Sequence, residues 1–293
     1  MFQFFANIFG YLLNIINNVV GNYGLAIILF TVLIKLIMLP LSIKQQRTMK
    51  KTSKIQEEVK VLQFKYKNDP EKLNREMMDL YKKENMSPFS GCLSTIAQFI
   101  LLISIFYMVR YPLTYMKKID KTQIDTYVQQ MKDEGMTVSQ AYSEIDIVRE
   151  VDYLKEKFPE DENLDKINLN MQFCGLDLGK IPQQNLGDWT VYIIPILYII
   201  STFISMRITM SMQNKTNKKD DVIDITENAD KKEEEKNEME EAMAQSNKMM
   251  SWMMPIMSVS ISLVAPLGLA LYWLINNILM IGERLILNKL VKD

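Results

Sequence analysis

Residues 24–41 read Gly24-Leu-Ala-Ile-Ile-Leu-Phe-Thr31-Val-Leu-Ile-Lys35-Leu-Ile-Met-Leu-Pro40-Leu41, an apolar run about as long as a helix that crosses a bilayer. Its single charge, Lys35, is also the only charged residue among the first 43. Placing a charge at the centre of a spanning helix costs roughly 2.5–3.5 kcal/mol on insertion scales, so such residues usually face a partner or a watery cavity. The interpretation of the whole chain depends on which of these Lys35 faces.

Charged residues are segregated along the rest of the chain. They make up 24% of the 293 residues, yet none occurs in 1–34, 85–109, 189–206 or 249–282. A helix needs about 20 apolar residues to cross a hydrocarbon core of ~30 Å. The last block is long enough for two short spans and is interrupted by Ala265-Pro-Leu-Gly268, a turn signal. The sequence therefore predicts an all-α polytopic membrane protein with five transmembrane helices.

The distribution of Lys and Arg predicts how these spans are oriented. Residues 44–84 hold twelve basic and seven acidic residues, and the positive-inside rule places them in the cytoplasm. The loop 110–188, with ten basic and fifteen acidic residues, belongs outside. The loop 207–248 is net acidic, but basic residues flank its spans, so it is placed inside. With five spans, the N-terminus is outside and the C-terminus inside.

Helical periodicity also appears in the segments outside the predicted spans. In 1–20 it predicts an amphipathic helix lying on the outer surface, and in 117–168 it predicts a small helical insertion. Residues 44–88 predict a helical hairpin that turns at Asn68-Asp-Pro-Glu71, with Asp69 as cap and Pro70 at the first helical position. This hairpin is either two helices that only pack together or a basic arm that meets a ribosome, a targeting factor or a nascent chain.

The chain is thus divided into ten predicted segments. In order they are an outer-surface amphipathic helix (1–20), span 1 (21–43), a cytoplasmic helical hairpin (44–88), span 2 (89–110), an extracytoplasmic loop with the helical insertion (111–187), span 3 (188–208), a charged cytoplasmic loop (209–247), span 4 (248–265), span 5 (266–287) and a cytoplasmic tail (288–293).

The surroundings of Lys35 are predicted to be polar. Thr31 lies one turn earlier and shares its face, which favours a hydrated face. The alternative is that Lys35 snorkels, but it lies eight residues from Ile43, about 12 Å, and a lysine stem covers only part of that distance. The four uncharged blocks hold no carboxylate, and the last span has only Glu283 near its inner end, so water is the expected partner.

Polar residues in the other spans could line the same cavity or could only join helices. They include Gln98 in span 2, Ser205 in span 3 and Asn277 in span 5. Such side chains are ordinary hydrogen-bonding groups in membrane bundles. The chain has no histidine, which excludes Ser-His-Asp chemistry and disfavours a zinc site, and it has no glycine-rich phosphate loop. We therefore expect no enzyme activity, cofactor or metal.

Four motifs occur in order along the chain. They are Gly21-Asn-Tyr-Gly-Leu-Ala-Ile-Ile followed by Lys35-Leu-Ile-Met-Leu-Pro-Leu41, then Ser87-Pro-Phe-Ser-Gly-Cys-Leu-Ser-Thr-Ile-Ala-Gln98, then Met253-Met-Pro-Ile-Met257, and last Ala265-Pro-Leu-Gly-Leu-Ala-Leu-Tyr-Trp-Leu-Ile-Asn-Asn277. Together they resemble the YidC family of membrane protein insertases, in its shorter bacterial form without a large outer domain. The resemblance covers nearly all of the chain except 111–170 and 213–245.

This resemblance implies a five-helix core with a hydrophilic groove that is open to the cytoplasm and lipid and closed outside. The implied groove residues are Lys35, Thr31, Gln98, Ser205 and Asn277. A hydrophobic slide along the lipid boundary would match Phe99, Phe106, Tyr272 and Trp273. A nascent span's polar tail would enter the groove, attracted by Lys35, without ATP hydrolysis.

The resemblance also implies the partners and the location. The partners are nascent membrane proteins and membrane lipids, with a ribosome, a targeting factor and the Sec translocon as further possibilities and no direct contact with nucleic acid. The location is the bacterial cell membrane. A small-solute channel or transporter would use a similar polar cavity, and an assembly chaperone would only hold spans.

The sequence departs from the family pattern in four places. Lys35 stands where the family usually has Arg, and Ser205 where we expect Gln. Lysine is a point charge without the bidentate fork of arginine. The outer loop is longer than usual, and the tail after Leu287 is too short to be a long basic ribosome tether.

Overall fold

The structure of the protein, a computed structural model, describes residues 2–66, 69–84, 90–167, 169–217 and 259–290. The described residues are mostly helical, which confirms the predicted all-α class. They belong to two compact units. The first unit comprises Met1–Ile37, Phe99–Ser205 and Met257–Gly282, and the second comprises Met38–Gln98, Met206–Ile256 and Glu283–Asp293.

The α-helices are α1 (Phe2–Val20), α2 (Tyr23–Lys65), α3 (Pro70–Lys83), α4 (Ser90–Arg110), α5 (Lys121–Asp133), α6 (Ser143–Arg149), α7 (Val151–Lys157), α8 (Glu162–Lys166), α9 (Ile193–Asn217) and α10 (Leu267–Leu290). Residues 259–264 are also helical. Shorter helical pieces are a π-helical turn (Leu113–Lys117) and two 3₁₀ turns (Pro182–Gln184 and Trp189–Tyr192). The strands β1 (Gln172–Phe173) and β2 (Leu176–Asp177) pair antiparallel.

Three segments of the described chain are long and apolar enough to cross a membrane. They are Tyr23–Thr48 in α2, Trp189–Ile208 at the start of α9, and Leu267–Leu287 in α10. Gln98–Arg110 in α4 is a shorter apolar helix. Most of the predicted fourth span, 248–265, lies outside the described residues. The number of spans and their orientation therefore stay predictions.

Helix α2 continues without a break past the predicted end of span 1 at residue 43 and ends at Lys65. Pro40 lies inside it and cannot donate to the carbonyl of Leu36. In membrane helices such carbonyls are satisfied by neighbouring groups, so proline is tolerated. The first span and the first arm of the predicted hairpin are thus one helix.

Helix α3 begins at the predicted cap. Asp69 accepts a hydrogen bond from the Lys72 amide at 3.0 Å, and Pro70 occupies the first turn. Proline is suited to this position because its missing N–H would have no intrahelical acceptor there. The start of α3 is confirmed, while its packing as part of a hairpin stays a prediction.

Helix α1 packs through one face, which contains both small and larger side chains. Its buried residues are Ala6, Gly10, Leu13 and Asn17. A Cβ on Gly10 would lie 2.3 Å from the carbonyl oxygen of Tyr115, so glycine allows the π-helical turn to approach this closely. A second apolar stripe is exposed and consists of Phe4, Ile8, Tyr11, Ile15 and Val19.

The segment 111–187 contains the small helical insertion that its periodicity predicts. Helices α5 to α8 bury Ile124, Tyr127, Met131, Ile145, Val148 and Leu154. The buried carboxylate of Glu144 accepts hydrogen bonds from the Leu113 and Thr114 amides at 2.7 and 3.0 Å, and from the Thr114 hydroxyl at 2.6 Å. It therefore joins α6 to the π-helical turn that α1 contacts.

Candidate functional site

Lys35 is half-buried on α2, between the buried Thr31 and the exposed Leu36 and Ile37. Thr31, one turn earlier, is 1% exposed, whereas the next two residues, Leu36 and Ile37, are 62% and 59% exposed. The Thr31 hydroxyl donates to the Ile27 carbonyl of its own helix at 2.6 Å. Its proton is therefore committed within α2, and only its acceptor capacity remains for another group.

A hydrogen-bonded polar link joins α9 to α10. Asn277 Nδ2 lies 3.0 Å from Ser201 Oγ and 3.2 Å from Thr202 Oγ1. Both hydroxyls also donate to the carbonyl of Tyr198, at 2.7 and 2.9 Å respectively. The Asn277 amide thus donates to two oxygens whose own protons are already used, which fixes the direction of each bond.

The sequence predicted Asn277 and Ser205 as groove residues but did not single out Ser201. Ser205 is 6% exposed and lies one turn after Ser201 on α9. The described partners of Asn277 are Ser201 and Thr202, one turn closer to the start of the helix. The recurrence of hydroxyls at 201, 202 and 205 was the available signal, but it does not say which of them meets Asn277.

Gln98 belongs to the second unit, where it pairs with another glutamine. Its Nε2 donates to Gln45 Oε1 at 2.9 Å, which joins α4 to α2. The sequence does not predict a role for Gln45 beside Gln98, because Gln45 lies at the start of the basic segment rather than within a predicted span. The pair satisfies one donor and one acceptor of two long polar side chains.

The four residues of the predicted hydrophobic slide have different surroundings. Phe99 is 57% exposed, whereas Tyr272 is 3% exposed and lies in the interior. Phe106 is half-buried, and the guanidinium carbon of Arg110 lies 5.9 Å from the centre of its ring. Trp273 is half-buried and packs on Tyr198, with ring centroids 5.9 Å apart. Tyr272 is therefore almost fully buried in this arrangement, and its place in the slide stays a prediction.

Comparison with known proteins identifies the family. The family model described as 60Kd inner membrane protein matches residues 15–293. The chain belongs to this family, the YidC family. The resemblance carried by the four motifs is thereby confirmed. The family description and the three candidate spans also confirm the predicted location in a bacterial cell membrane.

Several YidC relatives resemble part of the chain. Proteins named membrane protein insertase YidC from Francisella tularensis subsp. novicida (strain U112), subsp. tularensis (strain SCHU S4 / Schu 4) and subsp. holarctica (strain LVS) are each 46% identical to it over 109 residues. The match covers 37% of this chain and 20% of each relative. The chain therefore matches about a fifth of the length of these relatives.

Proposed function

We propose that this protein inserts nascent membrane proteins into the bilayer and assists their folding, with Lys35 attracting the polar tail that must cross. The observation that carries the proposal is the position of Lys35. Its ammonium belongs to a candidate spanning segment, half-buried, directly before the exposed apolar residues Leu36 and Ile37. The names of the relatives and the family membership support the same function.

The charge of Lys35 gives the site its chemistry. A positive charge in a low-dielectric environment attracts an acidic or dipolar group more strongly than it would in water, because the surroundings screen it less. A client's polar tail would lose hydration on entering the bilayer, and interaction with Lys35 offsets part of that loss. No bond is made or broken in this step, so it requires neither ATP nor a cofactor.

Exposed apolar side chains of the first unit provide a path for the apolar part of a client in this proposal. Three such side chains are more than half exposed: Leu36 and Ile37 on α2, and Phe99 on α4. A client's apolar segment can remain in lipid along such surfaces while its tail approaches the ammonium. Burying apolar surface stabilises by roughly 25 cal/mol per Å² removed from water, so moving the client from water to this boundary favours insertion.

Thr31, Ser205 and Asn277 supply a polar layer behind Lys35 in the proposal. All three are at most 6% exposed, so a client would meet the ammonium before it meets them. Because Asn277 bonds to Ser201 and Thr202, it holds two of the helices that form this layer. We assign these three residues to support of the groove, and Lys35 to contact with the client.

Partners outside the bilayer are proposed for the charged helices. The end of α2 and helix α3 carry exposed basic side chains, including Lys65, Lys72 and Lys82. A ribosome or a targeting factor would offer the anionic surface that such residues bind, and long-range attraction speeds such encounters. The Sec translocon is a further proposed partner, on the basis of the family alone.

Reconstitution into liposomes tests the proposed function. The purified protein is incorporated into vesicles, and a single-span client with a short polar tail is added without nucleotide. Protection of the tail from external protease is expected to exceed that in protein-free vesicles. Release of a trapped small solute is measured in parallel, because insertion would be absent and release present if the protein were a channel or transporter.

A further inference from the structure

A short segment of the outer loop caps the first turns of two spanning helices. The first amide of α2, on Tyr23, donates to the Asn170 carbonyl at 3.0 Å. The first two amides of α10, on Leu267 and Gly268, donate to the carbonyls of Lys180 and Leu178 at 3.0 and 2.8 Å. The first amides of any helix lack intrahelical acceptors, so residues 170–180 supply acceptors to both helices.

The contact between this segment and α2 depends on a glycine. A Cβ on Gly24 would lie 2.4 Å from the ring of Phe173, a distance that real Cβ contacts do not show. Next to it, Asn22 Nδ2 donates to the Gln172 carbonyl at 2.6 Å, and Asn22 Oδ1 accepts from the Leu25 amide at 3.0 Å. The ring of Phe173 is therefore seated directly on the backbone of the first helical turn.

The segment is itself a rigid hairpin. Strands β1 and β2 pair antiparallel and are joined by Cys174 and Gly175, both with positive φ, at 50° and 80°. Positive φ at both central residues is the requirement of the two-residue turn that matches strand twist. Leu178 and Ile181 after the hairpin are 1% and 4% exposed, so the segment is anchored by packing as well as by hydrogen bonds.

The helical insertion holds the hairpin from the other side. Arg149 Nε in α6 lies 3.3 Å from Asp177 Oδ2 in β2, and a Cβ on Gly179 would be 2.8 Å from Arg149 Cδ. At the end of the segment Lys180 Nζ donates to Asp188 Oδ2 at 2.8 Å. Asp188 caps the 3₁₀ turn that leads into α9 through the Thr190 amide. Three spanning helices are thus connected to one segment.

We propose that residues 170–180 form an outer clamp, which holds the outer ends of α2 and α10 in contact and keeps the side chains between them, such as Ile27, inaccessible from outside. The helical insertion braces this clamp through Arg149. This role goes beyond the proposed insertion of clients, because the clamp closes the outer end whether or not a client is present. It also gives a role to the helical insertion, which lies within the part of the chain that the motif resemblance does not cover.

Cysteine labelling from outside tests the clamp. The reporter is Ile27→Cys in a Cys92→Ala/Cys174→Ser background, because Ile27 is 1% exposed and its Cδ1 lies 3.6 Å from where a Cβ on Gly268 would be. Intact cells are treated with a membrane-impermeant maleimide. The clamped protein is expected to react slowly. Gly24→Ala, which displaces Phe173, is expected to raise the rate at least about tenfold, the effect of about 1.4 kcal/mol on an opening equilibrium.

A double substitution and a glycine control make the result specific. Phe173→Ala makes room for a Cβ at position 24, so Gly24→Ala/Phe173→Ala is expected to react no faster than Phe173→Ala alone. Gly187→Ala is the control, since its Cβ would meet nothing within 4 Å, and it should leave the rate unchanged. Equal rates for Gly24→Ala and Gly187→Ala would overturn the proposal.

A second variant covers the case in which Gly24→Ala does not accumulate in the membrane. Arg149→Gln removes the brace without adding a clash, and it is expected to raise the labelling rate about threefold, within the range of a weakened ion pair. An unchanged rate would contradict the clamp as described. Client insertion is measured separately. If the clamped protein keeps the reporter protected but does not insert clients, the insertase proposal fails and the clamp proposal stands.

Discussion

Asn277 and Ser201 are joined by a hydrogen bond of 3.0 Å that connects α10 to α9 inside the first unit. The Ser201 hydroxyl gives its own proton to the Tyr198 carbonyl, so its oxygen is oriented to accept from Asn277. Both side chains are buried, and neither bond depends on a charged group. This link is a polar contact between two candidate spanning helices that support the proposed groove.

Asn277→Ala is expected to weaken the packing of α10 on α9. Hydrogen bonds between membrane helices contribute about 0.6 kcal/mol on average and up to about 1.7, so a loss of roughly 1 kcal/mol in the free energy of unfolding is predicted. Unfolding in detergent measures it. Asn276→Ala, at the half-buried neighbouring position, is the matched control. Equal effects of the two substitutions would show that the link contributes nothing.

The pair formed by Gln45 and Gln98 is expected to be energetically coupled. A hydrogen bond of 2.9 Å between neutral side chains contributes about 0.5–1.5 kcal/mol net. A double-mutant cycle with Gln45→Ala and Gln98→Ala should give a coupling energy within this range. Strictly additive effects of the two substitutions would contradict the described contact.

Glu144→Ala is expected to destabilise the outer insertion. It would remove the acceptor of three donors, and a buried donor left unsatisfied costs about 1–3 kcal/mol. Glu144→Gln keeps an acceptor for the two amides and should cost less. Limited proteolysis of the outer loop in intact cells compares the two variants, and cleavage of both at the wild-type rate would rule out this role.

The same carboxyl predicts a pH dependence. Burial raises the pKa of Glu144, although hydrogen bonds from Thr114 and Leu113 oppose the shift. At a pH between the pKa of this carboxyl in the unfolded chain and its higher pKa in the folded protein, the folded protein holds a proton that the unfolded chain releases. The free energy of unfolding therefore falls as the pH rises through this window above about 4.5.

Thermal unfolding at several pH values checks the sign. The wild-type protein is expected to lose stability relative to Glu144→Gln as the pH rises from about 4 to about 7, because the amide cannot ionise. The difference between the two proteins removes the contribution of other carboxylates. A difference that is constant with pH would contradict the predicted shift.

Hydrophobic length and charge predicted the helical membrane fold, because a spanning helix must be long and apolar. They did not predict where α2 ends. The charge that begins at Lys44 predicts a change of solvent, but hydrogen bonding along the backbone continues through this point. A boundary between bilayer and water is therefore not always the end of a helix.

The site residues could be predicted by type but not by partner. Asn277 was identified as a polar residue in an apolar span, yet its contact with Ser201 depends on how α9 and α10 are rotated about their axes, which periodicity in one helix does not fix. Tyr272 was expected on an exposed slide and is buried. Adjacent residues such as Tyr272 and Trp273 point about 100° apart on a helix, so their surroundings can differ.

The outer clamp could not be predicted from the sequence because its two strands have only two residues each. Such strands are too short for alternation to be visible in a sequence. The available signal was Cys174-Gly175, since a glycine in the second central position is typical of a tight hairpin. Its contact with Gly24 and Gly268 joins residues far apart in the chain and could not be read from local patterns.

The central claim is that the positive charge of Lys35 draws the client's polar tail into the membrane. The most direct measurement is the initial rate of insertion of a single-span client with an acidic tail into proteoliposomes that contain the wild-type protein, Lys35→Arg or Lys35→Ala. Lys35→Arg should keep the rate within a few-fold, and Lys35→Ala should lower it roughly tenfold, the effect of about 1.4 kcal/mol. Lys44→Ala, at the exposed lysine further along α2, serves as the control. An unchanged rate for Lys35→Ala would contradict the claim and would leave a protein that only holds its clients.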